Sequence, residues 1–263
     1  LPDAPLARRL ADRHFGVGCD QIMLVEAAST AGSAYGYRIL NADGSNAGQC
    51  GNGARCVARY LRDRHHLPDG ALLDSPGGAI AVHFLTDDQV ELALGVPRFA
   101  PQEIPFLATE TPIRSKLAPT GDTAQTRYAL QLPHQVVEIS ALSMGNPHAV
   151  YVVDSVSDAP VAQLGPLIEH HPQFPDRANV GFAEIVDRTH VRLRVWERGV
   201  GETLACGSGA CAAVVALQLL GAVDQDVAVD LPGGRLHVRW QGAGYTVFLA
   251  GPAEFVFDGE FYL

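Results

Sequence analysis

The chain carries one pattern twice at a fixed offset. Cys50 opens CGNGA, and Cys206 opens CGSGA 156 residues later. At that offset SPGGAIAV (75–82) falls on LPGGRLHV (231–238), matching Pro76, Gly77, Gly78 and Val82 with Pro232, Gly233, Gly234 and Val238. YRILN (37–41) falls on LRVWE (193–197), aligning Arg38 with Arg194, and Gly95 falls on Gly251. One ungapped register over more than fifty residues marks a duplicated structural unit, because chance glycine matches lose phase quickly. The expected domains are therefore residues 1–100 and 101–250, with a tail at 251–263 that packs on the first half. SMGNPHAVYVVD (143–154) has no partner, since its equivalent would precede residue 1. The first half is expected to lack its opening strand and loop.

Each half has the same local grammar. A strand rich in β-formers, AYGYRIL or THVRLRVWE, leads to a glycine-rich loop that carries the cysteine. A helix follows. The first is expected over 53–64 with Cys56, Val57, Tyr60 and Leu61 on one face. The second, over 208–220, is apolar nearly all round and reads as buried, stopped by Gly221. A PGG turn then introduces two more strands, AIAVHFL and QVELAL in one half, RLHVRW and YTVFLA in the other. Many strands around one helix per half predict an α+β fold. It has two pseudo-symmetric halves, each a mostly antiparallel sheet or barrel wrapped around a central helix.

Composition narrows the function by exclusion. The formal net charge of −10 argues against nucleic-acid binding. LPDAPLARRLADRH is not an apolar leader, and ACAAVVALQLLGAV (210–223) is too short to span a bilayer, so no membrane partner is expected. Five cysteines, odd in number and without C-x-x-C, fit reduced cytoplasmic thiols and no metal site. Lys116 is the only lysine, and it lies in a Pro/Thr-rich connector. That disfavours a pyridoxal-phosphate Schiff base, and no P-loop lysine exists. No cofactor is expected.

A cysteine just ahead of a helix start has its thiol activated by exposed N–H groups and the macrodipole. Gly51, Gly53, Gly207 and Gly209 allow backbone N–H groups to approach a bound anion. Each half thus offers one thiol and one carboxylate nest, and two such halves facing a shared cleft would bring two thiols to one carbon. Inverting an amino-acid α-carbon needs that arrangement: a base on one face and an acid on the other. Cys19, Cys56 and Cys211 read instead as small core residues. Two other readings stay open. GSGACA (207–212) matches G-x-G-x-x-A, with Asp226 and Asp230 spaced for a ribose contact in a dinucleotide-binding protein. A thiol-based metal or redox sensor is the other.

NADGSNAGQCGNGARC, SMGNPHAV, RANVGF and ERGVGETLACGSGACAA together resemble diaminopimelate epimerase, over almost the whole chain. The related proline racemases and hydroxyproline epimerases share the two-half design and are the nearest alternative. The resemblance implies cofactor-free interconversion of LL- and meso-diaminopimelate, on the route to lysine and peptidoglycan, by a homodimer. It implies Cys50 and Cys206 as the acid/base pair, with Glu197 and His148 supporting the reacting centre. Gly51, Asn52, Gly207 and Ser208 would hold the α-carboxylate. Gln21, Asn41, Asn146, Asn179 and Arg198 would read the rest of the substrate. Taken singly, Asn41 and Asn146 also suit turns, Asn179 a loop closure and Arg198 a surface charge. The family's H-G-x-G-N-D-F segment has no counterpart within this chain.

Overall fold

A computed structural model describes residues 3–48, 50–86, 88–108 and 126–262 of the chain. Lys116, named above, lies outside the described residues. The chain divides into two compact units: residues 1–93 with 250–263, and residues 94–249.

The first unit opens with helix α1 (Ala4–Ala11), capped by the Asp3 carboxylate, which accepts from Leu6 N–H. Strand β1 (Gln21–Glu26) pairs antiparallel with β2 (Tyr35–Asn41). Helix α2 (Gly51–His65) then leads to β3 (Leu72–Ser75), which lies parallel to β2. Strands β4 (Gly78–Phe84) and β5 (Gln89–Ala93) continue antiparallel.

The second unit repeats this order and adds to it. Strands β6 (Arg127–Gln131), β7 (Val136–Ser143) and β8 (Pro147–Val152) form an antiparallel meander. Helix α3 (Val161–Glu169) crosses to β9 (Asn179–Asp187), parallel to β8. Strand β10 (His190–Glu197) returns antiparallel, and short β11 (Gly201–Thr203) pairs with its end. Helix α4 (Gly207–Leu219) crosses to β12 (Asp226–Leu231), parallel to β10, and β13 (Gly234–Arg239) completes a hairpin with β12. Strand β14 (Phe248–Pro252) returns the chain to the first unit.

The duplication extends to strand register. Tyr35 pairs with Leu73 in the first unit, and Val191 pairs with Val229, each 156 residues further on, in the second. Two parallel strands require a crossover, so each cysteine-led helix is the middle of a β-α-β unit. The sheets remain mostly antiparallel. The repeat loses phase at its end: Gly95 has φ +89 after β5, whereas Gly251 lies inside β14.

The two central helices solve different packing problems. In α4, eleven of thirteen residues are buried, and the helix packs on β7, β8, β9, β10 and β13. It closes in a Schellman motif, with Ala222 N–H donating to Leu217 O and Gly221 N–H, at φ +68, to Gln218 O. In α2 the buried face is Gly53, Ala54, Val57, Ala58 and Leu61, with Arg55. Cys56 and Tyr60 are exposed, which corrects both the expected face and the core reading of Cys56. Arg55 replaces them inside because its guanidinium donates to Pro252 O and Asn52 Oδ1. Cys211 is buried as expected, and Cys19 is half-buried.

Candidate functional site

Both cysteines are helix N-caps. Cys50 (φ −147, ψ 106) and Cys206 (φ −133, ψ 109) hold the same extended backbone, and the helix begins at the next residue. The glycines are thus the first helical turn and not a preceding loop. The first N–H groups of an α-helix have no intrahelical acceptor, so each thiol stands beside free backbone donors. Gly53 N–H donates to Cys50 Sγ at 3.3 Å. A Cβ at Gly53 would collide with Met23 Cε of β1, and one at Gly209 would press on Val195 of β10 and on Cys206 Sγ at 3.2 Å. Each helix start thus packs closely against side chains of a neighbouring strand.

In the first unit Gln21 opens β1 and Asn41 ends β2, directly opposite each other. Gln21 Nε2 donates to Asn41 Oδ1 at 3.1 Å, and Asn41 Nδ2 donates to Ser45 Oγ at 3.0 Å. Gly51 and Asn52 occupy the first turn of α2, where Asn52 Oδ1 accepts from Arg55. Tyr37, which sequence reasoning did not single out, is buried on β2. Burial pushes its hydroxyl up to about 12, and the nearby Cys50 sulfur adds to this.

In the second unit the structure gathers the named residues closely. Asn179 lies beside His148 in the β8–β9 register, donates to Pro147 O, and accepts Arg198 N–H at 3.0 Å. His148 Nε2 is 2.9 Å from Asn146 Oδ1. With that oxygen as acceptor, Nε2 carries the hydrogen. Arg198 is exposed and donates to Asp176 O. Glu197 ends β10 and accepts from the Thr203 hydroxyl, a partner supplied by β11 that the sequence did not reveal. Ser208, in the first turn of α4, has its hydroxyl 3.6 Å from Cys206 Sγ.

The electrostatics of this group follow from burial. Cys206 is 7% exposed, and burial pushes its thiol up to about 12. The Glu197 carboxylate raises it further, against the Ser208 hydroxyl and the Gly209 N–H. The group is a neutral thiol at neutral pH. Burial also lowers His148 to about 3, helped by the Arg198 charge, so the imidazole is neutral.

His148 carries a stability prediction. Unfolding releases it to its ordinary value of 6.5, so below that pH the unfolded chain binds more protons than the folded one. Its contribution is complete above pH 6.5 and is lost as the pH falls toward 3. Unfolding free energies from urea titrations between pH 7 and 4 should fall less steeply for His148→Asn than for the parent, by a few kcal/mol at pH 4. Parallel curves would refute the buried neutral imidazole.

Other readings find less support. Asp230 is held by Arg235 at 2.6 and 2.9 Å and by His190 at 2.7 Å, so its carboxylate is engaged within the fold, and Asp226 is an exposed first residue of β12. Among the described residues, no group of three or more His, Cys, Asp or Glu side chains could hold a metal ion, and no helix is long and apolar enough to cross a membrane.

Comparison with known proteins agrees with the geometry. The hydroxyproline epimerase of Agrobacterium vitis shares the fold, with a TM-score of 0.60 at 17% identity over 93% of this chain and 76% of that one. So does a phenazine-biosynthesis PhzC/PhzF protein of Clostridium difficile, with a TM-score of 0.61 at 14% identity over 100% and 90%. The diaminopimelate epimerase of Xanthomonas axonopodis pv. citri is 52% identical over 260 residues, which is 98% of this chain and 87% of the relative. The family model for diaminopimelate epimerase matches residues 2–100 and 140–256, along both units, and the chain belongs to that family.

Proposed function

We propose that this chain interconverts LL- and meso-diaminopimelate by two-base proton transfer at the α-carbon, with Cys50 and Cys206 as the two groups. The observation that carries this reading is the paired N-cap placement of the two thiols, at equivalent points of a duplicated unit. One thiol, as thiolate, removes the α-proton. The other delivers a proton to the opposite face, and the roles exchange in reverse.

Gly51 and Asn52, with Gly207 and Ser208, hold the α-carboxylate at the two helix starts, where developing negative charge is also stabilised. Cys206 rests as the neutral thiol and is the proton donor whenever Cys50 is the base. Glu197 receives its proton when Cys206 must act as base. Neutral His148 holds Asn146, and Asn146, Asn179 and Arg198 read the distal end of the substrate with Gln21 and Asn41. The two repeat halves correspond to the two compact units. Reaction in D2O tests the mechanism. At low conversion, deuterium should enter the α-carbon of the product and not of the recovered substrate. Unlabelled product would overturn the two-base reading.

The enzyme works as a cytoplasmic homodimer. Support for the dimer comes from Phe255, Val256, Phe257 and Tyr262, which expose large apolar surface on the tail of the first unit. Sedimentation equilibrium at micromolar concentration should give twice the 28.0 kDa chain mass. A triple serine variant at 255–257 should give the single mass. A monomeric parent would refute the dimer. The odd and sparse count of five cysteines favours a reducing compartment.

A further inference from the structure

Glu169 is the last residue of α3 and is not among the residues that the motifs point to. Its side chain is 3% exposed. Burying a carboxylate is costly unless hydrogen bonds satisfy it, so its partners show what it is for. Oε2 accepts from Trp196 Nε1 at 2.7 Å, and Oε1 accepts from Gly199 N–H at 2.8 Å. Arg177 lies 3.5 Å from Oε1, His170 lies 3.7 Å from Oε2, and the Glu169 backbone carbonyl accepts from Ala178 N–H.

These partners bracket the substrate-side residues. Trp196 precedes Glu197, Gly199 follows Arg198, and Ala178 precedes Asn179. Residues 197–200 form a tight turn, closed by Val200 N–H donating to Glu197 O, with Gly199 at φ +75. The two central N–H groups of such a turn ordinarily face water. Here both are captured by side chains: Arg198 N–H by Asn179 Oδ1, and Gly199 N–H by Glu169 Oε1. The helix can reach because α3 packs closely on β10. A Cβ at Gly165 would stand 2.6 Å from Trp196 Cγ.

We propose that Glu169 is a positioning residue that fixes the 197–200 turn and thereby sets Arg198 for the distal end of the substrate. This rests on the reading of Arg198 given above. Only a carboxylate offers two acceptors to the two donors. Glutamine has the same shape but turns one acceptor into a donor, which must then face an N–H.

The test is a double-mutant cycle on the full chain, with Glu169→Gln, Arg198→Ala and the pair, measured as kcat and KM for LL-diaminopimelate. Glu169→Gln should raise KM about tenfold with kcat within about threefold of the parent. In the Arg198→Ala background it should add less than about twofold to KM. An unchanged KM with a lowered unfolding midpoint would make Glu169 merely structural and overturn the proposal. So would equal effects in both backgrounds. A normal KM for Arg198→Ala alone would instead overturn the reading of Arg198, and the proposal with it. Should Glu169→Gln fail to fold, Trp196→Phe removes one donor and keeps the carboxylate. It should raise KM about threefold, again only when Arg198 is present, and no change would overturn the proposal.

Discussion

Replacing Cys206 with alanine should lower epimerisation of LL-diaminopimelate roughly 10³-fold, and Cys50→Ala should do the same. Both substitutions leave the backbone N–H groups of the helix starts in place, so substrate binding should change far less than turnover. The diagnostic result is isotopic. A chain with one thiol can still remove the α-proton on that side; with no acid on the other face the intermediate waits, the S–H exchanges with solvent, and a deuteron returns to the same face. Each variant should therefore wash deuterium into one isomer without inverting it. Inversion by either variant at more than about a tenth of the parental rate would sink the pairing of the two thiols. The two variants should also differ in thiol chemistry. Cys206 is buried and kept protonated by its surroundings and by the Glu197 charge. Iodoacetamide should accordingly spare the buried Cys206 at pH 8 while modifying the exposed Cys56, more slowly than an unperturbed thiol because partial burial raises it as well.

Ala212→Asp should prevent the second unit from folding, whereas Cys56→Asp should change stability by no more than about 0.5 kcal/mol. The two positions are equivalent in the repeat, each six residues after its N-cap. Ala212 is fully buried among the strands around α4, where a carboxylate would have no counter-charge. Leaving one there unpaired costs several kcal/mol, comparable to the whole stability of a domain. Cys56 faces outward, so its replacement is solvated. Thermal unfolding of both variants checks this. A folded Ala212→Asp chain with an ordinary midpoint would show that α4 is not enclosed on that side.

The same pair shows how far the sequence could be read. Cysteine and glycine matches at one offset made the duplication legible, because both N-caps need the same local chemistry. The face of α2 expected from periodicity is off by a partial rotation: Val57 and Leu61 are buried, but Ala54 and Ala58 complete the face in place of Cys56 and Tyr60. Small residues give a weak apolar signal, and nothing local announces that Arg55 finds acceptors on Asn52 and distant Pro252. Strand direction was equally hidden, since alternation looks the same in parallel and antiparallel neighbours. The polar residues in ERG, GNPH and RANVG stood out by their glycine-rich settings. Glu169 did not, because its partners at Trp196 and Gly199 meet it only through the packing of α3 on β10. Thr203 is the intermediate case: close to the motif, but joined to Glu197 only once β11 folds back.

The first unit is discontinuous, and this sets the order in which the protein can be finished during synthesis. Its helix α2 is tied to residues far along the chain: Arg55 and Arg59 donate to Pro252 O and Ala253 O, and Arg64 pairs with Asp258. Domains usually complete themselves in the order they leave the ribosome. Here residues 3–93 must wait while the whole second unit is made, on the order of ten seconds or more at ordinary elongation rates. The second unit is continuous and can close first. The unit that emerges first is thus the last to be completed, and in that interval it is the part of the nascent chain most in need of a chaperone.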